Sequence, residues 1–210
     1  RRYRLPKNLH QQPKARGRQT AAFLVRDNIR HRRDIEEAYL AAIATARDNI
    51  LLANAYFLPG RRFRRALYRA ARRGVRVVIL LQGQVEYRLL HYATQALYGR
   101  MLSAGIRIFE YRRGFLHAKV AVIDRYWATV GSSNIDPFSL LLAREANIVV
   151  VDRAFAENLR GSLGQAMRDG AQELRADCWQ RLPWHSRLLR WASYSLIRMF
   201  VGLVGYGARH

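Results

Sequence analysis

The chain has 210 residues, a length that suits one domain built around one hydrophobic core. Half of the residues are apolar, which excludes disorder as the default class. The formal net charge is +22, from 37 Lys and Arg against 15 Asp and Glu, and only three of the 37 cations are lysines. This surplus predicts attraction to a polyanion, either nucleic acid or an anionic lipid surface, and composition does not choose between them.

The start of the chain has the composition of a connection rather than of a folded element. Residues 1–19 are basic and are interrupted by Pro6, Pro13 and Gly17, which predicts a linker. The chain opens on arginine rather than methionine, so we expect it to be a piece of a longer protein. Cys178 is the only cysteine, and therefore no disulfide can form within the chain.

Residues 20–111 alternate between continuous apolar runs and segments with apolar residues at spacings of three and four. The runs are typical of buried strands and the spacings are typical of amphipathic helices. Strands are predicted over 20–26, 49–57, 75–81 and 106–111, and helices over 34–47, 61–73 and 89–104. The alternation predicts an α/β fold in which helices pack on a sheet.

The pattern changes in the second half of this region. Apolar runs over 116–123 and 126–130 flank Asp124 and Arg125, which predicts a β-hairpin. A further strand is predicted over 145–151 and a helix over 153–168. We therefore assign residues 20–170 to one folded domain.

Residues 171–210 are predicted to form a basic amphipathic tail. One helical face carries Leu189, Ala192, Leu196, Met199 and Leu203, and the opposite face carries Arg187, Arg190, Tyr194 and Arg198. The longest run without charge, 199–208, has ten residues and is shorter than the roughly 20 that a membrane span requires. With Trp184 and Trp191 nearby, a helix lying in a membrane interface is one interpretation. The other is a helix whose apolar stripe packs on the protein's own core or on another domain.

A histidine and a lysine two residues apart are the first candidates for chemistry. His117 and Lys119 share one face of the predicted strand, while the alternate residues Val120 and Val122 are expected in the core. Histidine can attack phosphorus and form a phosphohistidine, and a lysine with neutral donors stabilises the charge on the phosphoryl oxygens. Ser132 and Asn134, also two apart, are expected to supply such donors. This scheme needs no metal and no cofactor.

The pattern His117-x-Lys119-x4-Asp124 followed by Gly131-Ser132-x-Asn134 resembles the signature of the phospholipase D superfamily. The resemblance implies a mixed β-sheet flanked by helices, an α-β-α sandwich that forms one of the two halves of the usual two-motif enzyme. It also implies catalytic roles for the three residues of the first motif. Residues 20–170 would then be the catalytic domain.

The same resemblance implies roles for residues around the motif. Ser132 and Asn134 would bind phosphate, and Glu145 would orient His117 through the second ring nitrogen. Asp124 is out of register with His117 and opens a turn, so we expect it to hold the hairpin and its surroundings more than to touch substrate.

Segments 54–60, 111–117 and 127–134 are similar to bacterial cardiolipin synthases of the shorter type, and the similarity runs from about residue 20 to residue 163, as in the C-terminal half of such an enzyme. It implies transfer of a phosphatidyl group from phosphatidylglycerol to the alcohol of a second lipid. It also implies a peripheral location on the cytoplasmic side of the bacterial inner membrane, at an anionic surface. Arg112 and Arg113 would meet a lipid headgroup, or else form a solvated basic edge.

Only one such motif is present, because no other histidine has a lysine two residues on. We expect a missing N-terminal half, or a homodimer mate, to complete the site. Two other hypotheses remain open. One is a dimeric phosphodiesterase that acts on nucleic acid, a less favoured partner, and the other is a binding module or inactive fragment.

Overall fold

The computed structural model of the protein describes residues 17–27, 30–136, 139 and 143–207, apart from the side chains of residues 178, 180 and 203–207. Residues 1–16 of the predicted linker lie outside the described residues.

Eight strands form one mixed sheet with helices on both faces. The strands are β1 (Thr20–Arg26), β2 (Asn49–Asn54), β3 (Arg76–Gln82), β4 (Arg107–Tyr111), β5 (Lys119–Ile123), β6 (Trp127–Gly131), β7 (Glu145–Val151) and β8 (Ala171–Glu173). The helices are α1 (Asp34–Thr45), α2 (Arg61–Arg72), α3 (Arg88–Ser103), α4 (Arg153–Gly170), α5 (Ala176–Gln180) and α6 (Trp184–Gly207). The strand order is β1-β7-β6-β5-β2-β3-β4-β8.

The strand directions decide which loops meet. β2, β3 and β4 are parallel neighbours, whereas β5 runs antiparallel to β2, with Asn54 opposite Lys119. β6, β7 and β1 then follow as successive antiparallel partners. The ends of β1, β2, β3 and β6 therefore lie at the same edge of the sheet as the starts of β5 and β7.

Two apolar layers hold the sheet between its helices. Within β2, Ile50 and Leu52 face the layer that contains α1, α2, α3 and α6, while Leu51 and Ala53 face the layer under α4. The alternation follows from the two-residue period of a strand, and burial on both faces explains the continuous apolar run. Val120 and Val122 lie in the layer under α4, as predicted.

The predicted α-β-α sandwich is confirmed, and the predicted element types are correct along residues 20–170. Bounds differ by a few residues at most: the strand predicted over 116–123 begins at Lys119, and the strand predicted over 49–57 ends at Asn54. The three-residue edge strand β8 was not predicted. It pairs with β4 and follows directly from α4.

The tail forms α6, but the packed side of this helix is not its apolar stripe. Ser193 and Ile197 are buried against α3 and the core, and the Tyr194 hydroxyl accepts a hydrogen bond from Arg64 Nη1 at 2.7 Å. Leu189, Leu196 and Met199 are exposed. Packing of the apolar stripe on the protein's own core is therefore wrong for the side chains that the structure describes, whereas its packing on another domain or in a membrane interface stays a prediction.

Candidate active site

The topology brings the predicted site residues to one edge of the sheet. His117 lies two residues before the start of β5, Ser132 and Asn134 follow the end of β6, and Glu145 opens β7. The loop after β2 closes over the same edge, because Phe57 and Ile135 form a parallel bridge and Leu58 N donates to Ile135 O at 2.8 Å. Residues separated by up to 28 positions in sequence therefore lie at one edge of the sheet.

His117 is exposed on an extended segment that is fixed at both sides. Leu116 N donates to the Gln82 side-chain oxygen at 3.1 Å, and Ala55 N donates to Ala118 O at 2.9 Å. The segment is therefore anchored to the ends of β3 and β2, which leaves the imidazole at the surface of a rigid backbone.

Lys119 is buried, with 9% of its surface exposed, and its ammonium donates to His117 O at 3.4 Å. Burial lowers the pKa of Lys119 from that of an ordinary lysine, and the carboxylates of Glu145, Asp136 and Glu86 partly oppose this effect. A charged amine held in a poorly solvated place is costly without a counter-ion, so the site is suited to an anionic ligand.

Ser132 and Glu145 form a hydrogen-bonded pair. The Ser132 hydroxyl donates to Glu145 Oε2 and accepts from Ala146 N at 3.1 Å, and Ser132 N donates to Ala146 O at 3.0 Å. Within the described part of the chain the His117 ring makes no hydrogen bond, so the expected Glu145–His117 bond is not formed in this structure. The orienting role of Glu145 stays a prediction.

Asn134 is buried, and its side-chain oxygen accepts a hydrogen bond from Tyr56 N at 3.2 Å. Because the oxygen is engaged by the backbone, the amide nitrogen is the group that Asn134 can offer to a ligand. Asn54 makes the reciprocal contact, since its oxygen accepts from Ile135 N at 3.2 Å. Two asparagines thus tie the loop after β2 to the loop after β6.

Gly131 is required by a close approach between β6 and β7. A Cβ at this position would overlap the side-chain amide of Asn147, which is buried and donates to Thr129 Oγ1 at 3.3 Å. A side chain would push apart the strand ends that carry Ser132 and Glu145. The glycine of the motif therefore serves the geometry of the pocket.

Asp124 lies at the opposite edge of the sheet from His117 and Lys119. It follows the last residue of β5, and five residue steps along the strand place it about 17 Å from Lys119. Its buried carboxylate accepts hydrogen bonds from the backbone N–H groups of Arg47, Asp48 and Asn49, at 2.9–3.1 Å for the shortest contact to each, and its φ is +53°. These contacts agree with the structural interpretation, and Asp124 does not join the candidate catalytic residues.

Arg112 and Arg113 lie on the exposed segment between β4 and the histidine. Arg112 Nη2 pairs with the buried Glu110 carboxylate at 2.9 Å, and Arg112 N donates to Gly170 O at 2.7 Å. Arg113 packs close to Gly170. The pairing with Glu110 occupies part of the Arg112 guanidinium, and a headgroup contact by either arginine stays a prediction.

Comparisons with known proteins place this chain in a family. The sequence matches, over residues 39–167, the family described as cardiolipin synthase, PLD-like domain. The chain belongs to this family. Cardiolipin synthase B of Escherichia coli K12 is 41% identical over 185 residues, which cover 88% of this chain and 45% of that protein. Cardiolipin synthase 2 of Bacillus anthracis is 32% identical over 166 residues, 78% of this chain and 31% of that protein.

Solved structures agree on the fold of the cardiolipin synthase PLD-like domain. Nuc, a phospholipase D family member from Salmonella typhimurium, superposes with a TM-score of 0.63 at 19% identity and covers 75% of this chain and 99% of that one. Phosphatidylserine synthase of Haemophilus influenzae Rd KW20 gives 0.68 at 14% identity, over 89% of this chain and 47% of that one. The resemblance drawn from the motifs is confirmed, and the chain spans about half the length of the E. coli relative, at 45%.

Sequence reasoning missed three residues at this edge of the PLD-like domain. Arg26 is fully buried at the end of β1, opposite Glu145. Burial lowers the pKa of its guanidinium and the charge of Arg32 adds to this effect, while the Glu145 carboxylate opposes it. The Tyr56 hydroxyl donates to Glu86, a residue to which the sequence assigned no role. Arg26 was hidden among many arginines, although its place in an otherwise apolar strand was a usable signal.

Replacing Asp124 tests its structural role in the PLD-like domain. We expect Asp124→Ala to lower the free energy of unfolding by about 3 kcal/mol, because three backbone N–H groups, one of them buried and two partly buried, lose their acceptor. The melting temperature should fall by about 6–12 °C. Asp124→Asn keeps an acceptor oxygen and tolerates positive φ, so its stability should lie between those of the parent protein and Asp124→Ala. Calorimetry measures both. A variant that melts like the parent but loses activity would instead show that Asp124 acts in catalysis.

Proposed function

We propose that this chain supplies one half of an active site that transfers a phosphatidyl group between glycerophospholipids to form cardiolipin. The observation that carries the proposal is the meeting of His117, Lys119, Asn134 and the Ser132–Glu145 pair at one edge of a cardiolipin synthase family domain. The named relatives are cardiolipin synthases, which supports this chemistry over other phosphodiester reactions.

The reaction we propose has two steps at phosphorus. One histidine nitrogen attacks the phosphodiester of phosphatidylglycerol, an N–P bond forms, and the bond from phosphorus to the glycerol oxygen breaks. A second histidine gives its proton to the departing glycerol. That histidine then takes the proton from the hydroxyl of a second phosphatidylglycerol, whose oxygen attacks phosphorus while the N–P bond breaks. His117 is one of these two histidines.

Lys119 and Asn134 would hold the phosphoryl oxygens during both steps. The ammonium of Lys119 sits in a buried place where its attraction to a phosphate is little screened by water. The Asn134 oxygen is already used by Tyr56 N, so its amide hydrogens are directed to other acceptors. Such fixed donors stabilise the charge that develops in the transition state.

The second histidine has to come from outside this chain. No other histidine has a lysine two residues on, and the named relatives are about two to two and a half times as long. We therefore assign the second motif to an upstream half of the complete protein, with a homodimer mate as the alternative source. The chain by itself would then be inactive.

The test uses the complete protein that contains this chain, reconstituted in phosphatidylglycerol vesicles with a chelator present. We expect cardiolipin and free glycerol to appear in equal amounts, measured by mass spectrometry. A complete protein that consumes phosphatidylglycerol without forming cardiolipin would refute phosphatidyl transfer and favour hydrolysis.

Hydrolysis of nucleic acid is the second candidate, favoured by the net charge of +22. The same preparations incubated with plasmid DNA and a chelator separate the two functions. Nicking that is lost in His117→Ala would support a nuclease, whereas cardiolipin formation without nicking supports the transferase.

We also propose that α6 attaches the protein peripherally to an anionic membrane, on the cytoplasmic side of the inner membrane. Its exposed apolar residues include Trp184 and Trp191, which are 75% and 66% exposed, and also Leu188, Met199 and Phe200. Residues 178–210 hold five arginines and no Asp or Glu, a charge pattern that complements anionic lipid. None of the helices in the described part is long and apolar enough to span a bilayer.

Vesicle sedimentation tests the α6 proposal. The Trp184→Ser/Trp191→Ser double variant should bind phosphatidylglycerol-containing vesicles at least about tenfold more weakly, since two aromatic anchors are lost. Tyr126→Ser, at an exposed position in the turn between β5 and β6, is the matched control and should bind normally. Equal binding by the double variant would indicate that another part of the complete protein covers this face.

A further inference from the structure

A small cavity lies beside the candidate active site, where β2 and β3 end. Its volume is about 30 Å³, and its polar lining residues include Tyr56, Gln82, Glu86, Tyr87, His91 and Thr94. A water molecule needs about 10–15 Å³ on this scale, so the cavity has room for a hydroxyl-bearing fragment but not for an acyl chain.

Both walls of this cavity are attached to the catalytic segments. Tyr56 N donates to the Asn134 oxygen at 3.2 Å, and the Gln82 oxygen accepts from Leu116 N, one residue before His117, at 3.1 Å. A group bound in the cavity is thereby held at a fixed position relative to His117 and Asn134.

The acidic group of the cavity is the Glu86 carboxylate, which accepts a hydrogen bond from a hydroxyl group. The Tyr56 hydroxyl donates to Glu86, and the edge of the Tyr87 ring packs against Tyr56 at 5.8 Å between centroids. A carboxylate has further lone pairs, so Glu86 can accept another hydrogen bond. Its negative charge repels phosphate and favours neutral hydroxyl groups.

His91 also lines the cavity, and its tautomer is fixed by its neighbours. Arg190 Nε donates to the Gln95 oxygen at 2.9 Å, so the Gln95 amide nitrogen must donate to His91 Nε2, at 2.8 Å. Burial lowers the pKa of His91 and favours the neutral ring. Neutral His91 therefore carries its proton on Nδ1.

We propose that Tyr56, Glu86 and His91 form a subsite for the hydroxyl groups of a polyol, the alcohol that accepts the phosphatidyl group. The Glu86 carboxylate can accept a hydrogen bond and His91 Nδ1 can donate one, which suits a hydroxyl group because it both donates and accepts. This inference rests on the proposed function, and it explains how the site favours an alcohol over water at the second step. A site built around hydroxyl groups rejects an analogue that lacks them, because its polar groups are then left unpaired.

The test uses the complete protein and a phosphatidyl ester of p-nitrophenol, whose leaving group has no hydroxyl to bind. Release of p-nitrophenol reports the first step, and added glycerol and 1-propanol compete as acceptors for the second. For each variant, transfer to each alcohol is divided by that variant's own p-nitrophenol release. We expect the parent protein to prefer glycerol to 1-propanol. In Glu86→Gln and in Tyr56→Phe, the ratio of transfer to glycerol over transfer to 1-propanol should fall about tenfold.

Glu157→Gln, at an exposed position of α4 paired with Arg153 at 2.9 Å, is the matched control and should keep the preference for glycerol. An unchanged preference in both Glu86→Gln and Tyr56→Phe overturns the subsite while the proposed function stands. Absence of p-nitrophenol release by the parent protein overturns the proposed function, and the subsite with it.

Discussion

His117→Ala in the complete protein should lower both cardiolipin formation and phosphatidic acid formation by at least about 1,000-fold, the size of loss seen when a nucleophile or its proton-transfer partner is removed. Both products fall because transfer and hydrolysis share the step that forms the phosphohistidine. Since His117 is exposed and its ring makes no hydrogen bond among the described residues, the melting temperature should stay within about 2 °C.

The control for this prediction is His31→Ala. His31 is also exposed, and its ring bonds only to Asp34 within the described residues, at 2.7 Å. This variant should keep the parent activity. If His117→Ala retained more than a few per cent of either product, His117 would have no part in the covalent step.

Lys119→Met should weaken phosphatidyl transfer by about 100- to 1,000-fold and at the same time raise the melting temperature by about 2 °C or more. The activity falls because the phosphoryl oxygens lose a cation. Stability rises because a buried amine is replaced by an apolar side chain of similar length.

The stability effect has a pH dependence of known sign. The pKa of Lys119 is lowered by burial, so between the lowered value and the ordinary value near 10.5 the unfolded chain binds more protons than the folded one. The stability of the parent protein therefore rises with pH in that window, and the advantage of Lys119→Met shrinks. Arg125→Met, at an exposed turn position, should change neither the transfer activity nor the melting temperature. A lower melting temperature for Lys119→Met would show that the surrounding carboxylates outweigh the cost of burial.

The sequence predicts the framework of the domain because its strands leave strong local signals. β2 is buried on both faces, and this appears in the sequence as an uninterrupted apolar run. The place of the site also followed from the sequence. In a β-hairpin the start of the first strand and the end of the second lie at the same edge of the sheet, so the two parts of the motif meet there. β8 has only three residues and depends on pairing with β4, so it left no such signal.

The orientation of α6 shows what an amphipathic pattern leaves open. The pattern shows that an apolar stripe exists but not which side of the helix packs. Tyr194 packs against the core cluster that contains Ile197, and its hydroxyl accepts a hydrogen bond from Arg64. The Arg190 guanidinium lies over the Trp179 ring in a cation–π contact. Long polar side chains can thus fill an interface and leave the leucines outside.

The finer arrangement of the site depends on contacts that spacing does not encode. Glu145 stands at the expected distance from His117 in sequence, but its carboxylate accepts a hydrogen bond from the Ser132 hydroxyl. The strand register also places Glu145 opposite Arg26. Glu86 acquires a partner only when the loops after β2 and β3 come together. These are consequences of the tertiary fold.

Chemical trapping of the covalent intermediate tests the central claim most directly. The complete protein is mixed with phosphatidylglycerol labelled in its phosphatidyl group, quenched in alkali within the first turnover, and its histidines are analysed by mass spectrometry. We predict about one phosphatidyl group per complete site, bound to a histidine, and no label in His117→Ala. Turnover without a labelled histidine, or equal labelling in His117→Ala, would contradict the account.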